Sequence, residues 1–82
     1  MATLITVDGK QTEVTPKGAT FSLKELQGYV GGFIEILHVQ DKLMVLNDEG
    51  RLRSLPLNAE ASRLAGTAVV GPVVVTDPSE IE

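Results

Sequence analysis

The sequence predicts one α+β domain, with a mostly antiparallel sheet of about five to six strands and two short helices. A length of 82 residues fits a single core. Apolar segments of strand length alternate with turn residues, and two helical segments each begin at a capping residue and end at glycine. We assign residues 1–76 to the domain and residues 77–82 to a flexible acidic tail.

The chain begins with a predicted β-hairpin. Residues 2–7 form the first strand, and Asp8-Gly9 is a strong hairpin-turn signal. Residues 11–15 return as the second strand, which Pro16 ends because proline lacks the amide hydrogen that a strand pairing needs.

The first helix has clear start and stop signals. Ser22 and Glu25 match a capping box, in which each side chain accepts a hydrogen bond from the backbone of the other residue. Leu26 and Val30 follow at helical spacing, and Gly31-Gly32 ends the helix.

A three-stranded antiparallel meander is predicted next. Its strands are residues 33–39, 43–46 and 51–55, and the turn between the last two is residues 47–50. Pro56 ends the third strand.

The second helix is predicted over residues 59–65, capped by Asn58 and stopped by Gly66. Residues 68–75 then form a strand with a bend at Gly71-Pro72. This segment is apolar on both faces, so we expect it at, or packed under, a subunit interface of a homo-oligomer.

Composition narrows the classes of function. The net charge is −4 and the seven basic residues are scattered, which disfavours binding to duplex nucleic acid. The chain has no cysteine, one histidine, no membrane-span-length apolar run and no leader pattern. No serine lies in a nucleophile elbow. We therefore expect a non-enzymatic protein of the cytoplasm, with no catalytic residue, metal or cofactor.

Charged residues of the meander are the first candidates for a site. Glu35 interrupts an otherwise apolar strand face, and a carboxylate there should be ion-paired or in contact with a ligand. Arg51 and Arg53 would share one face of the third strand, about 6.6 Å apart, as partners of Glu35 or as phosphate ligands. Asn58 caps a helix whose N-terminus would also suit an anion.

Several short motifs resemble a family of small phage and bacterial proteins, the domain of unknown function family 3846. They are Leu26-Gln27, residues 30–35, residues 47–50, residues 55–58 and residues 70–75. The resemblance implies a phage or prophage context and no established activity.

The leading hypothesis is an anti-defence protein that sequesters a nucleotide-derived immune signal of cyclic nucleotide or cyclic ADP-ribose type. Arg51 and Arg53 would hold phosphates, and the polar side chains that read ribose or base would be Gln27, Glu35, Asn47 and Asn58. Two alternatives stay open: an inhibitor that binds a host defence protein through an acidic surface, and a structural accessory subunit.

Overall fold

A computed structural model describes residues 2–50 and 52–81. The elements in chain order are β1 (Ala2–Ile5), β2 (Gln11–Val14), α1 (Leu23–Val30), β3 (Ile34–Val39), β4 (Lys42–Asn47), α2 (Ala59–Ala65) and β5 (Val73–Thr76). The strands form one antiparallel sheet in the order β2-β1-β5-β4-β3. This confirms the predicted α+β class, with five strands and two helices.

The two helices cover opposite faces of the sheet. Leu26 and Val30 of α1 pack in one hydrophobic cluster with Val45, and Ala61 of α2 packs in another with Met44. Neighbouring strand residues point to opposite faces, so the clusters lie on either side of the sheet. In the described part of the chain, neither helix has the length and apolarity to cross a bilayer.

The start of α1 follows the predicted capping box. Ser22 Oγ accepts a hydrogen bond from Glu25 N at 3.1 Å, and the Glu25 carboxylate accepts one from Ser22 N at 3.2 Å. The same carboxylate also accepts a bond from Lys17 N at 3.1 Å, which fixes the preceding loop. These backbone bonds, that of Ser22 first, lower the pKa of Glu25.

The predicted third strand of the meander, residues 51–55, is wrong over residues 52–55, the part of it that the structure describes. Residues 52–54 form turns, in which Arg53 N donates to Glu49 O and Leu55 N donates to Gly50 O. The physical reason is that β4 already pairs with β3 on one side and β5 on the other, which leaves no edge for another strand.

Only the end of the predicted strand at residues 68–75 lies in the sheet. Gly71 has φ +77° and marks the bend, after which β5 runs through the centre of the sheet. Val73 and Val74 face the two different clusters and have no exposed surface. The apolar faces that suggested a subunit interface here are therefore covered by this chain itself.

The acidic segment after β5 packs onto the domain. It contains a short 3-10 helix, Pro78–Glu80. Glu80 O accepts a hydrogen bond from Phe21 N at 2.7 Å, and Asp77 forms an ion pair with Lys42. The flexibility expected for residues 77–82 concerns motion and stays a prediction.

Candidate functional site

An open concavity of about 610 Å³ lies beside the C-terminal end of α1. It brings together two of the predicted site residues, Gln27 and Arg53. Its lining is Lys24, Gln27, Gly28, Gly31, Gly32, Phe33, Glu49 and Arg53. We call it the α1 concavity.

Arg53 lines the α1 concavity with its guanidinium bonded to the end of α1. Its Nη1 donates to Gly31 O at 2.8 Å, so the guanidinium meets the carbonyl end of α1, where a cation is favourable. Gly32 permits this approach, because an added Cβ would lie 3.2 Å from Nη1.

The expected ion pair between Arg53 and Glu35 does not form. Among the residues that the structure describes, the ion pairs join Lys42 to Asp77 and Arg63 to Glu60. Arg51, the other expected partner, lies outside the described residues, so its predicted role stays a prediction.

Glu35 lies in a different place from Arg53. It is exposed on the edge strand β3, on the sheet face that α2 covers. It lines a second concavity of about 320 Å³. The lining is Glu35, Leu37, Leu46, Asn47, Asp48, Gly50, Leu52, Thr67, Ala68, Val69 and Val70.

Asn47, the last residue of β4, is buried and joins α1 to the turn that follows β4. Its Nδ2 donates to Val30 O at 3.0 Å, and its Oδ1 accepts from Glu49 N at 2.8 Å. Only 4% of the residue is exposed. The amide therefore supports the loop that carries Glu49 and Arg53.

Asn58 is fully buried on the other side of the sheet. Its Oδ1 accepts from Ala61 N at 3.1 Å, and its Nδ2 donates to Ile5 O at 3.0 Å and to Gly71 O at 2.9 Å. Both amide hydrogens are thus in use. The helix cap is the role that the geometry fits, and Asn58 is not beside Arg53.

Three residues that line the α1 concavity were not predicted as ligand-binding residues: Lys24, Phe33 and Glu49. Lys24 lies three residues before Gln27, and that spacing places both on one helix face. Spacings of three and four residues extend this face to Gly28 and Gly31, so helical spacing could have found the helical half of the concavity. Phe33 is 66% exposed, which strand alternation alone does not signal.

A third concavity, of about 670 Å³, adjoins the α1 concavity on the same helix. Lys24 and Gly28 line both. The space around Gly28 is open, because nothing lies within 4 Å of an added Cβ there.

The fold and these surfaces define a small α+β domain with one helix on each face of an antiparallel sheet and with open concavities around α1. The chain belongs to the family described as Domain of unknown function (DUF3846), whose model matches residues 1–82. No curated protein and no solved structure matches the chain.

Proposed function

We propose that this chain is a non-catalytic binding protein that holds a small anionic ligand of nucleotide type in the α1 concavity. The observation that carries the proposal is the exposed ring of Phe33 in a concavity that Lys24 and Arg53 also line.

Each kind of lining group suits one part of a nucleotide. Ammonium and guanidinium groups bind phosphate, and guanidinium does so with two parallel hydrogen bonds. An exposed aromatic ring offers a face on which a base can stack. Gln27 and Glu49 supply an amide and a carboxylate for ribose hydroxyls or base edges.

The position of Arg53 also supports binding. Its bond to Gly31 O uses one guanidinium nitrogen and holds the planar group in place, so less side-chain entropy is lost when a phosphate binds. The adjoining glycines, Gly28, Gly31 and Gly32, allow a ligand to approach the backbone closely.

The biological role that we propose is sequestration of a nucleotide-derived immune signal by a phage-type anti-defence protein in the bacterial cytoplasm. The support is the small size of the domain and the type of ligand that the concavity suits. Sequestration requires tight binding without turnover, and the proposal needs no catalytic group, metal or cofactor.

Isothermal titration calorimetry against cyclic dinucleotides and cyclic ADP-ribose isomers tests the proposal. Arg53→Ala should weaken binding at least tenfold, and Arg63→Ala is the matched control because Arg63 lies on α2, across the sheet. Absence of binding heat for the whole panel, with protein refolded free of copurified ligand, would remove the proposal. Equal losses of ligand affinity in both variants would show that the ligand does not bind in the α1 concavity.

Inhibition of a host protein is the second candidate function. Leu52 is 85% exposed in the turn that follows Asp48 and Glu49, and a protruding apolar side chain beside carboxylates suits a protein interface. Native mass spectrometry of the protein purified from its host distinguishes the candidates. A retained protein that Leu52→Ser releases supports inhibition, and a retained small molecule that Arg53→Ala releases supports sequestration.

A further inference from the structure

The edge strand β3 has one free side. It pairs with β4 through residues 34–39, and within residues 2–50 and 52–81 no other strand pairs with it. A free strand edge presents a row of unpaired N–H and C=O groups that can hydrogen-bond to another strand.

The phase of the β3–β4 pairing fixes which groups are free. Val39 pairs with Lys42 across the two-residue turn at residues 40–41. At the other end Asp48 N donates to Phe33 O at 2.8 Å, so the odd-numbered residues of β3 bond to β4. The backbone groups of Ile34, Ile36 and His38 therefore point outward.

Four of the six side chains of β3 are apolar, and its exposed side chains are those of Glu35, Ile36 and His38. Ile36 is 39% exposed on the face that α1 covers elsewhere, and Phe33, just before the strand, is 66% exposed. The opposite edge, β2, has the sequence Gln-Thr-Glu-Val, and its first three residues are exposed and polar. Charged and polar side chains protect an edge from pairing, and β2 has that protection to a greater degree than β3.

We propose that β3 pairs antiparallel with β3 of a second copy of this chain, about a two-fold axis at Ile36. The two sheets would then form one ten-stranded sheet. This interface lies at the edge of the domain, away from β5, and it does not depend on the ligand proposed for the α1 concavity.

The two-fold register follows from the outward-pointing residues. With Ile36 opposite its own copy, Ile34 lies opposite His38, and three residues per strand exchange backbone hydrogen bonds. On the other face Glu35 lies opposite Leu37. A shift that centres the axis on Glu35 would place two carboxylates directly opposite each other, which is unfavourable. A shift that centres the two-fold axis on Leu37 would leave Ile34 with no strand residue opposite it in the second copy.

A second copy fits this edge because the exposed Ile36 meets its own copy at the axis. The exposed Ile36 side chains of the two copies cover each other at the axis, whereas a polar or charged strand would leave them against polar groups. A domain of this size gains stability from shared apolar surface.

Sedimentation equilibrium at micromolar concentration is the first test. We expect a dimer for the wild-type chain and a monomer for Ile36→Lys, which places two ammonium groups together at the axis. Thr12→Lys on β2 is the matched control and should remain dimeric. A monomeric wild-type chain overturns the proposal, and so does a dimer that Thr12→Lys disrupts and Ile36→Lys does not.

Single-cysteine variants test the register without requiring Ile36→Lys to fold. The chain has no cysteine, so any disulfide must join two copies. Ile36→Cys places two Cα atoms about 5.5 Å apart and should cross-link under mild oxidation. His38→Cys places them about 14 Å apart and should not. Cross-linking of His38→Cys in preference to Ile36→Cys overturns the register.

Discussion

The buried side-chain amides of Asn47 and Asn58 form hydrogen bonds within the fold, whereas the side chains that line the α1 concavity include exposed groups. All the described hydrogen bonds of the amides go to backbone groups of this chain. Arg53 makes one such bond and Phe33 keeps an exposed ring. Burying a polar group costs free energy unless it forms hydrogen bonds inside the protein, so the bonds of these two amides serve the fold. Exposed groups can still form bonds to a ligand. Substitutions should therefore separate stability from binding.

The largest loss of stability should come from Asn58→Ala. The change removes the α2 cap and leaves the carbonyls of Ile5 and Gly71 without their side-chain donor. We expect the free energy of unfolding to fall by about 3 kcal/mol. Urea denaturation measures it, with Asn58→Ser as the control that keeps an uncharged capping oxygen and loses the amide donors. A loss below about 1 kcal/mol would contradict the assignment of Asn58 as an anchor.

Asn47→Ala should show a smaller loss of stability together with weaker ligand binding. Its amide makes two described bonds, to Val30 O and from Glu49 N. We expect about 2 kcal/mol of destabilisation by urea denaturation. Because the same turn carries Glu49 and Arg53, calorimetry should also show weaker binding at a temperature where the variant is folded. Unchanged ligand affinity in this destabilised variant would show that the turn does not support the binding site.

Gly28→Ala should change stability and binding in opposite directions. Gly28 is exposed within α1 and has open space around an added Cβ, so alanine should stabilise the helix by about 0.5–1 kcal/mol. The added methyl group also enters the wall of the α1 concavity and should weaken ligand binding. Thermal unfolding and calorimetry measure the two effects. An increase in stability with unchanged binding would place the ligand elsewhere.

The smallest effect concerns pH and Glu25. The backbone hydrogen bonds from Ser22 and Lys17 lower its pKa from the ordinary value of 4.5, so the fold favours the ionised form. Its contribution to stability is therefore present above pH 4.5 and is lost as the pH falls through the lowered pKa of the folded state.

Glu25→Gln should accordingly be less stable than the wild-type chain at pH 7, and the difference should shrink as the pH approaches 3. Urea denaturation across this range measures it. Glu13→Gln removes the same charge from the exposed strand β2 and serves as the control. A difference that stays constant with pH would show that the capping carboxylate does not act through its charge.

Local signals predicted most of the fold. The capping box at Ser22, the Asn58 cap and the glycine stops depend on residues close in sequence, and the structure confirms them. Residues 52–55 were misassigned because their conformation depends on β5, which pairs with the second side of β4 and lies more than 20 residues after β4 in the chain. The local sequence does not show that a distant strand will pair with the same side of β4.

The site was less predictable for a related reason. Asn58 and Arg53 both appear as polar residues next to turns, and the sequence does not say which will be buried. Burial depends on tertiary neighbours such as Ile5 O for Asn58 and Gly31 O for Arg53. Helical spacing could have added Lys24 to Gln27, but the exposure of Phe33 depends on where the sheet ends.

The central position of β5 has a consequence for how the chain folds during synthesis. The hairpins β1–β2 and β3–β4 are each local in sequence, and they join one sheet only through β5 between them. A nascent chain that has not yet released residues 73–76 carries two hairpins whose inner strands, β1 and β4, lack the strand that joins them. Assembly of the core therefore waits for this late segment to leave the ribosome, and until then the two hairpins are exposed to chaperones and to wrong pairing.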